Sequence, residues 1–183
     1  MHFLHRILVY IPDICCVGKN NPSVTKQQIR SYANNQTECF DGHVFDWREV
    51  DTAGRWSDEY PDNVILAADD PDRFLAELGK AQTYKREALC QALKFLEENE
   101  LLDLKKMATA ILEDEQDSPM ESHRLSMAAY SLGSIADHLK GTYTYNSYFF
   151  DTHRCTSLMH KQIFEEIQEH PQLWALVIFD CHY

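Results

Sequence analysis

Asn63-Val64-Ile65-Leu66-Ala67-Ala68-Asp69-Asp70-Pro71-Asp72-Arg73-Phe74-Leu75-Ala76-Glu77-Leu78 holds the change of period that decides the fold. Up to Ala67 the chain reads as a short apolar strand. From Asp70-Pro71 the repeat becomes helical: Asp70 is a capping residue, Pro71 suits the first helical position, and Phe74, Leu75 and Leu78 form an apolar stripe.

Upstream of this point the pattern is strand-like. Phe3–Ile11 alternates and is closed by Pro12, Val44–Val50 is a second strand with Phe45 and Trp47 on one face, and Asn63–Ala67 is a third. These three strands are expected to open the sheet as an antiparallel set. Between the first two, Thr25 with Gln28 three residues on has the form of a capping box, starting a helix that ends near Asn34-Asn35.

Downstream, helices dominate. Ala88, Leu89, Ala92, Leu93, Phe95 and Leu96 make a second stripe, and Leu101, Leu104, Met107, Ala108, Ile111 and Leu112 a third. Ser118-Pro119-Met120-Glu121 combines a capping serine, a first-turn proline and a capping-box glutamate. The helix it opens runs to Gly141, with Leu125, Met127, Ala128, Leu132, Ile135 and Leu139 inward. Strand character returns in Thr142–Asp151, a helix is expected over 156–170, and Leu173–Phe179 is an apolar run suited to a central strand. The predicted architecture is a single α+β domain over residues 1–183. An antiparallel sheet from the N- and C-terminal strands packs against a central helical layer.

Composition agrees with one core. The 183 residues are 44% hydrophobic and 25% charged, with nine Tyr, nine Phe and three Trp. No apolar run approaches the roughly 20 residues of a membrane-spanning helix, and no cleavable leader is visible, so a cytoplasmic protein is expected. The six cysteines are widely spread and read as reduced thiols. Cys15, Cys16, Cys39 and His43 form a candidate zinc cluster, although adjacent cysteines depart from the usual ligand spacing of two to four residues.

The net charge of −12 is unevenly placed. Asp41, Asp46, Glu49, Asp51, Asp58, Glu59, Asp62, Asp69 and Asp70 face only Arg48 and Arg55 within their segment. Glu97, Glu98, Glu100, Asp103, Glu113, Asp114, Glu115, Asp117 and Glu121 face only Lys105 and Lys106. Such regional acidity repels phosphate backbones and attracts basic surfaces. Direct nucleic-acid binding is disfavoured, and binding to a basic nucleic-acid-handling protein is favoured. Solvated helix ends would give the same counts.

No motif specifies a cofactor: there is no Gly-x-Gly-x-x-Gly, P-loop, nucleophile elbow or His-Glu-x-x-His. The enzyme-like feature is a pair of Asp-x-His triplets, Asp151-Thr152-His153 and Asp180-Cys181-His182, each at a predicted strand end. On neighbouring strands these four side chains could hold a metal ion and its water, as in a metal-dependent hydrolase or nuclease. Cys155, close behind His153 and Arg154, lacks an evident base. The aromatic strand Tyr143–Phe150, with Tyr143, Tyr145, Tyr148, Phe149 and Phe150, suits a core or a homodimer interface.

On the charge segments Asp41–Asp70 and Glu97–Glu121 the chain resembles in kind the small acidic anti-CRISPR proteins of phages and mobile elements. The resemblance implies a DNA mimic whose carboxylates occupy the motif-reading groove of a type II CRISPR effector nuclease with its guide RNA. Asp58, Glu59, Asp62, Asp69 and Asp70, with Glu113, Asp114, Glu115 and Asp117, are the contact residues it implies.

Overall fold

The structure, a computed structural model, describes residues 1–14, 24–99, 103, 109 and 119–183. In chain order these form β1 (His2–Tyr10), α1 (Ile11–Ile14), α2 (Lys26–Thr37), β2 (Trp47–Glu49) and β3 (Val64–Leu66). There follow α3 (Pro71–Glu98), α4 (Pro119–Lys140), β4 (Phe149–Asp151), α5 (Lys161–Glu169) and β5 (Trp174–His182). The fold is α+β, with the N- and C-terminal strands at the centre of a mostly antiparallel sheet.

β5 organises the sheet. Its run from Trp174 to Cys181 is buried throughout, as expected of a strand covered on both faces. Along one side it pairs antiparallel with the whole of β1, from His2 opposite His182 to Tyr10 opposite Trp174. Along the other side it pairs with β3 at Ala175–Val177 and with β2 at Asp180–His182. β4 lies outside β1 and parallel to it, with Arg6 opposite Phe149. The three N-terminal strands therefore do not form an antiparallel set of their own. Each runs antiparallel to β5, so they point the same way, and β5 separates β1 from the other two.

The period of two in the central strands divides the core. Leu8, Leu176 and Ile178 face Phe74, Leu78 and Ala81 of α3 and Ile163 and Ile167 of α5. Ile7, Val9, Val177 and Phe179 face Ile29 and Ala33 of α2, together with Phe45, Tyr143 and Phe150. Helices thus cover both faces. α4 packs on the distal half of α3 through Leu96 and Ala128.

Local signals are met closely at the helix starts. The Thr25 hydroxyl accepts from Gln28 N and the Gln28 side chain accepts from Thr25 N at 2.9 Å, a complete capping box. Asp70 Oδ1 accepts from Arg73 N at 3.1 Å with Pro71 in the first turn. The stripes at Phe74–Leu78 and Ala88–Leu96 belong to one continuous helix, α3. Gly141, at φ 72°, ends α4 where an added Cβ would run into Thr156 and Leu158. The third stripe, Leu101 to Leu112, and Ser118 lie outside the described residues.

Several boundaries differ from expectation. The second strand shrinks to Trp47–Glu49 because the chain first turns at Gly42, whose N–H reaches Phe45 O at 2.7 Å. Phe45 is consequently buried while Trp47 is half exposed, so they do not share a face. Only Phe149–Asp151 of the 142–151 stretch is strand, since Thr144–Ser147 closes a turn through Ser147 N to Thr144 O at 2.9 Å. The helix expected from Thr156 begins at Lys161, because Thr156 and Ser157 are drawn back to Asp151 and Gly141. At the end of α4, Leu139 is 77% exposed and His138 is buried in its place.

Candidate functional site

The first acidic segment is partly spent on holding the fold. Asp62 pairs with Lys26 at 2.6 Å and with Arg30, and Glu59 pairs with Lys80 at 3.1 Å. Burial opposes the charge on Asp62, but the Lys26 hydrogen bond, the Val64 N–H and the two cations outweigh it and lower its pKa. For Glu59 the Lys80 hydrogen bond lowers the pKa against some desolvation. Asp70 is a helix cap, and Asp41 pairs with Arg48 at 2.9 Å. Within this segment, apart from the cap Asp70, what remains exposed and outside any ion pair among the described residues is Asp51, Asp58 and Asp69, joined just beyond it by Asp72. The last three gather at the N-terminus of α3, where Arg73 donates to Glu59 O and Lys80 reaches Glu59. Glu113, Asp114, Glu115 and Asp117 lie outside the described residues.

The two Asp-x-His triplets are not brought together. β4 and β5 lie on opposite sides of β1, with Asp151 opposite Leu8 and Asp180 opposite Leu4. Asp151 is fully buried and holds its own loop, accepting from His153 N, Arg154 N and the Arg154 guanidinium. His153 pairs with Asp13 at 2.8 Å, and His182 stands 3.7 Å from Asp46. Among the described residues no group of three or more His, Cys, Asp or Glu side chains is placed to hold a metal ion. Of the proposed zinc cluster, Cys39 is an exposed free thiol, and Cys15 and Cys16 fall outside the described residues. Cys155 is an exposed thiol at φ 51°. Tyr143, Phe149 and Phe150 are core, which removes them from any dimer surface.

A different constellation occupies the end of the sheet where β1 begins and β5 finishes. Asp180, 1% exposed, accepts from Arg55 N at 3.1 Å and meets His2 Nδ1 at 2.9 Å. Gly54, at φ 54°, lets the turn Gly54–Trp56 lie directly on this carboxylate. Next to it is a cleft of about 270 Å³ lined by His2, Phe3, Leu4, Trp56, Tyr84 and Tyr148. Tyr148 is held at φ 56°, a left-handed conformation that costs a non-glycine residue on the order of 1 kcal/mol.

Under the cleft runs a buried ion network. Arg6, 1% exposed, donates to Glu77 Oε2 through Nε at 3.1 Å and Nη2 at 2.9 Å, and to Leu4 O. Lys80 Nζ reaches the other Glu77 oxygen at 2.7 Å and the Tyr60 hydroxyl at 3.3 Å. Burial raises the Glu77 pKa, but Lys80 and Arg6 overcome it and the carboxyl sits below its ordinary range. Burial, with Glu77 beside it, pushes Tyr60 up to about 12.

From the cleft an unbroken series of rings extends over the surface. Tyr84 meets Tyr148 at 5.5 Å between centroids, Tyr148 meets Phe3 at 5.9 Å, and Phe3 meets Tyr183 at 5.6 Å. Tyr183 meets Tyr145 at 4.0 Å, which stacks on Tyr130 at 6.2 Å. Tyr84, Tyr130 and Tyr183 are each about two-fifths to half exposed. Aromatic faces of this kind accept cationic side chains, and Arg6 already lies 5.7 Å from the Tyr84 centroid. Trp56 lines the cleft and lies two residues before Asp58, so the rings and an unpaired carboxylate are close in the chain.

Comparison with protein-family models, with curated proteins and with solved structures finds no match for this chain. Among the described residues no helix is long and apolar enough to cross a membrane. The sequence reading passed over His2, Gly54, Trp56, Tyr84 and Tyr183. Their common signal was present only in the Tyr and Trp content, because it takes β1, β5, α3 and the Gly54 turn together to make one surface.

Proposed function

We propose that the protein is an acidic protein-binding module of the anti-CRISPR kind, acting on a basic protein that handles nucleic acid. The observation that carries this reading is the junction at Gly54–Tyr60: an exposed aromatic series meets carboxylates that no cation among the described residues neutralises. Asp58, Asp69 and Asp72 present negative charge, and Tyr84, Tyr148 and Tyr183 present ring faces. Together they suit the Lys and Arg side chains of a groove that ordinarily takes nucleic-acid phosphates. Asp62, Glu59 and Asp70 act in this reading as supports rather than contacts, because they are committed to Lys26, Lys80 and the α3 cap.

The test is binding to a guide-loaded type II CRISPR effector, and separately to an unrelated basic DNA-binding protein, at low and high salt. Expected is salt-sensitive binding that competes with target DNA and is lost on Asp58→Lys, Asp69→Lys and Asp72→Lys together. Binding that survives this reversal sinks the reading, and so does its absence with both proteins at low salt.

A further inference from the structure

Between the middle of α3 and the last turn of α4 lies a cavity of about 450 Å³, closed on a third side by Leu158 and Met159. That is within the roughly 300–1,000 Å³ of small-molecule sites. One part of its wall is apolar, from Leu89, Leu139, Leu158 and Met159. The other carries Lys85 and Arg86.

These two cations differ from those that hold the fold together. The Arg6, Lys26, Arg48, Lys80 and Arg154 side chains are each tied to a carboxylate. Among the described residues Lys85 and Arg86 have no acidic partner. Lys85 Nζ instead donates to Ser157 O at 2.7 Å and Ser157 Oγ at 3.3 Å. Burial without a counter-charge brings its pKa down to about 8. Beside it His138, 6% exposed, has no hydrogen-bond partner at Nε2. Burial and then the Lys85 charge lower the His138 pKa, against Asp137, so it adds no positive charge at neutral pH.

We propose that this cavity binds a small aliphatic carboxylate, with its charged end on Lys85 and Arg86 and its chain against the leucines and Met159. The donor count favours a carboxylate over a phosphate. An ammonium has three N–H groups, and Ser157 takes two of those on Lys85. One remains, and Arg86, lining the same cavity, has a guanidinium whose planar fork fits two oxygens. A phosphate dianion needs more donors than that. The exposed Leu139 side chain, 77% accessible, gains a partner when the chain of such a ligand is seated.

Calorimetric titration of the full chain at pH 7 with octanoate, octanamide and octyl phosphate tests the assignment. Octanoate is expected to bind, and Lys85→Met and Arg86→Met are each expected to weaken it by about tenfold or more, the worth of one charge-assisted hydrogen bond. Octanamide should bind at least tenfold more weakly than octanoate, by the same reasoning. The Lys85 pKa, followed by NMR on the intact protein, should rise when octanoate is added. Equal affinity for octanamide overturns the proposal, as do tighter binding of octyl phosphate and a Lys85 pKa that octanoate leaves unmoved.

Discussion

Gly54 lies so close to the Asp180 carboxylate that an added Cβ would overlap it, and the next residue, Arg55, donates its backbone N–H to the same group at 3.1 Å. A buried aspartate on the central strand is thereby satisfied by a turn that only glycine can make. Gly54→Ala adds left-handed strain to this collision and is expected to lower unfolding stability by about 2 kcal/mol or more. Urea denaturation measures it, and a loss below about 0.5 kcal/mol, the usual range for a neutral surface change, would show that the turn yields.

Removing Glu77 from the Arg6–Glu77 pair leaves the Arg6 charge buried without a carboxylate. Glu77→Leu is expected to cost about 3–5 kcal/mol. Arg6→Met with Glu77→Leu should recover a large part of that, because both charges are then gone. Simple additivity of the two losses in a double-mutant cycle counts against a coupled pair.

Acid should weaken the fold before its carboxylates titrate. His5 is fully buried, bonded to the Tyr143 hydroxyl at 2.8 Å, and burial followed by the Arg6 charge lowers its pKa from 6.5 to about 3. Between those limits the unfolded chain takes up a proton that the folded chain refuses, so stability is fully present above about 6.5 and declines as pH falls. His138, also lowered, acts in the same direction. The expected slope from His5 approaches about 1 kcal/mol per pH unit. Urea midpoints from pH 7 to 5 should show it, and His5→Gln should flatten it. An unchanged slope in that variant assigns the effect elsewhere.

Asp151 is expected to matter as a loop anchor. Asp151→Asn weakens the charge-assisted bonds to His153 N, Arg154 N and the Arg154 side chain, for a loss on the order of 1–3 kcal/mol. Faster hydrogen exchange at the His153 and Arg154 amides should accompany it. Manganese or zinc should leave the unfolding midpoint of the native chain unmoved; a rise that His153→Ala removes would restore the metal reading.

What the sequence disclosed was what short-range chemistry controls. Thr25 with Gln28, Asp70 with Pro71, and Gly141 each act within one turn of a helix, so a local pattern suffices. Strand order is set at long range, by Leu176 and Val177 choosing partners more than 100 residues away, and no local pattern records it. That is why the Asp151 and Asp180 triplets looked adjacent and are not. Thr144-Tyr145-Asn146-Ser147 did carry turn chemistry in its Asn and Ser, and the aromatic alternation obscured it. Leu139 was placed inside by period alone, whereas the fold turns it out at 77% exposed and buries His138, at the cavity that Lys85 and Leu158 also line. The acidic segment was legible as composition, but the cations that pair with Asp62 and Glu59 come from α2 and α3.

β5 is the partner of β1, β2 and β3, and it follows all three in the chain. Until residue 182 has been synthesised, β1 has no complete neighbour, so the emerging sheet carries unpaired edges. A product truncated before Trp174 retains its helices and the short β1–β4 pairing but lacks the central strand that joins β1 to β2 and β3. Its exposed Ile7, Leu8 and Val9 make it a natural client for chaperones and a ready substrate for degradation.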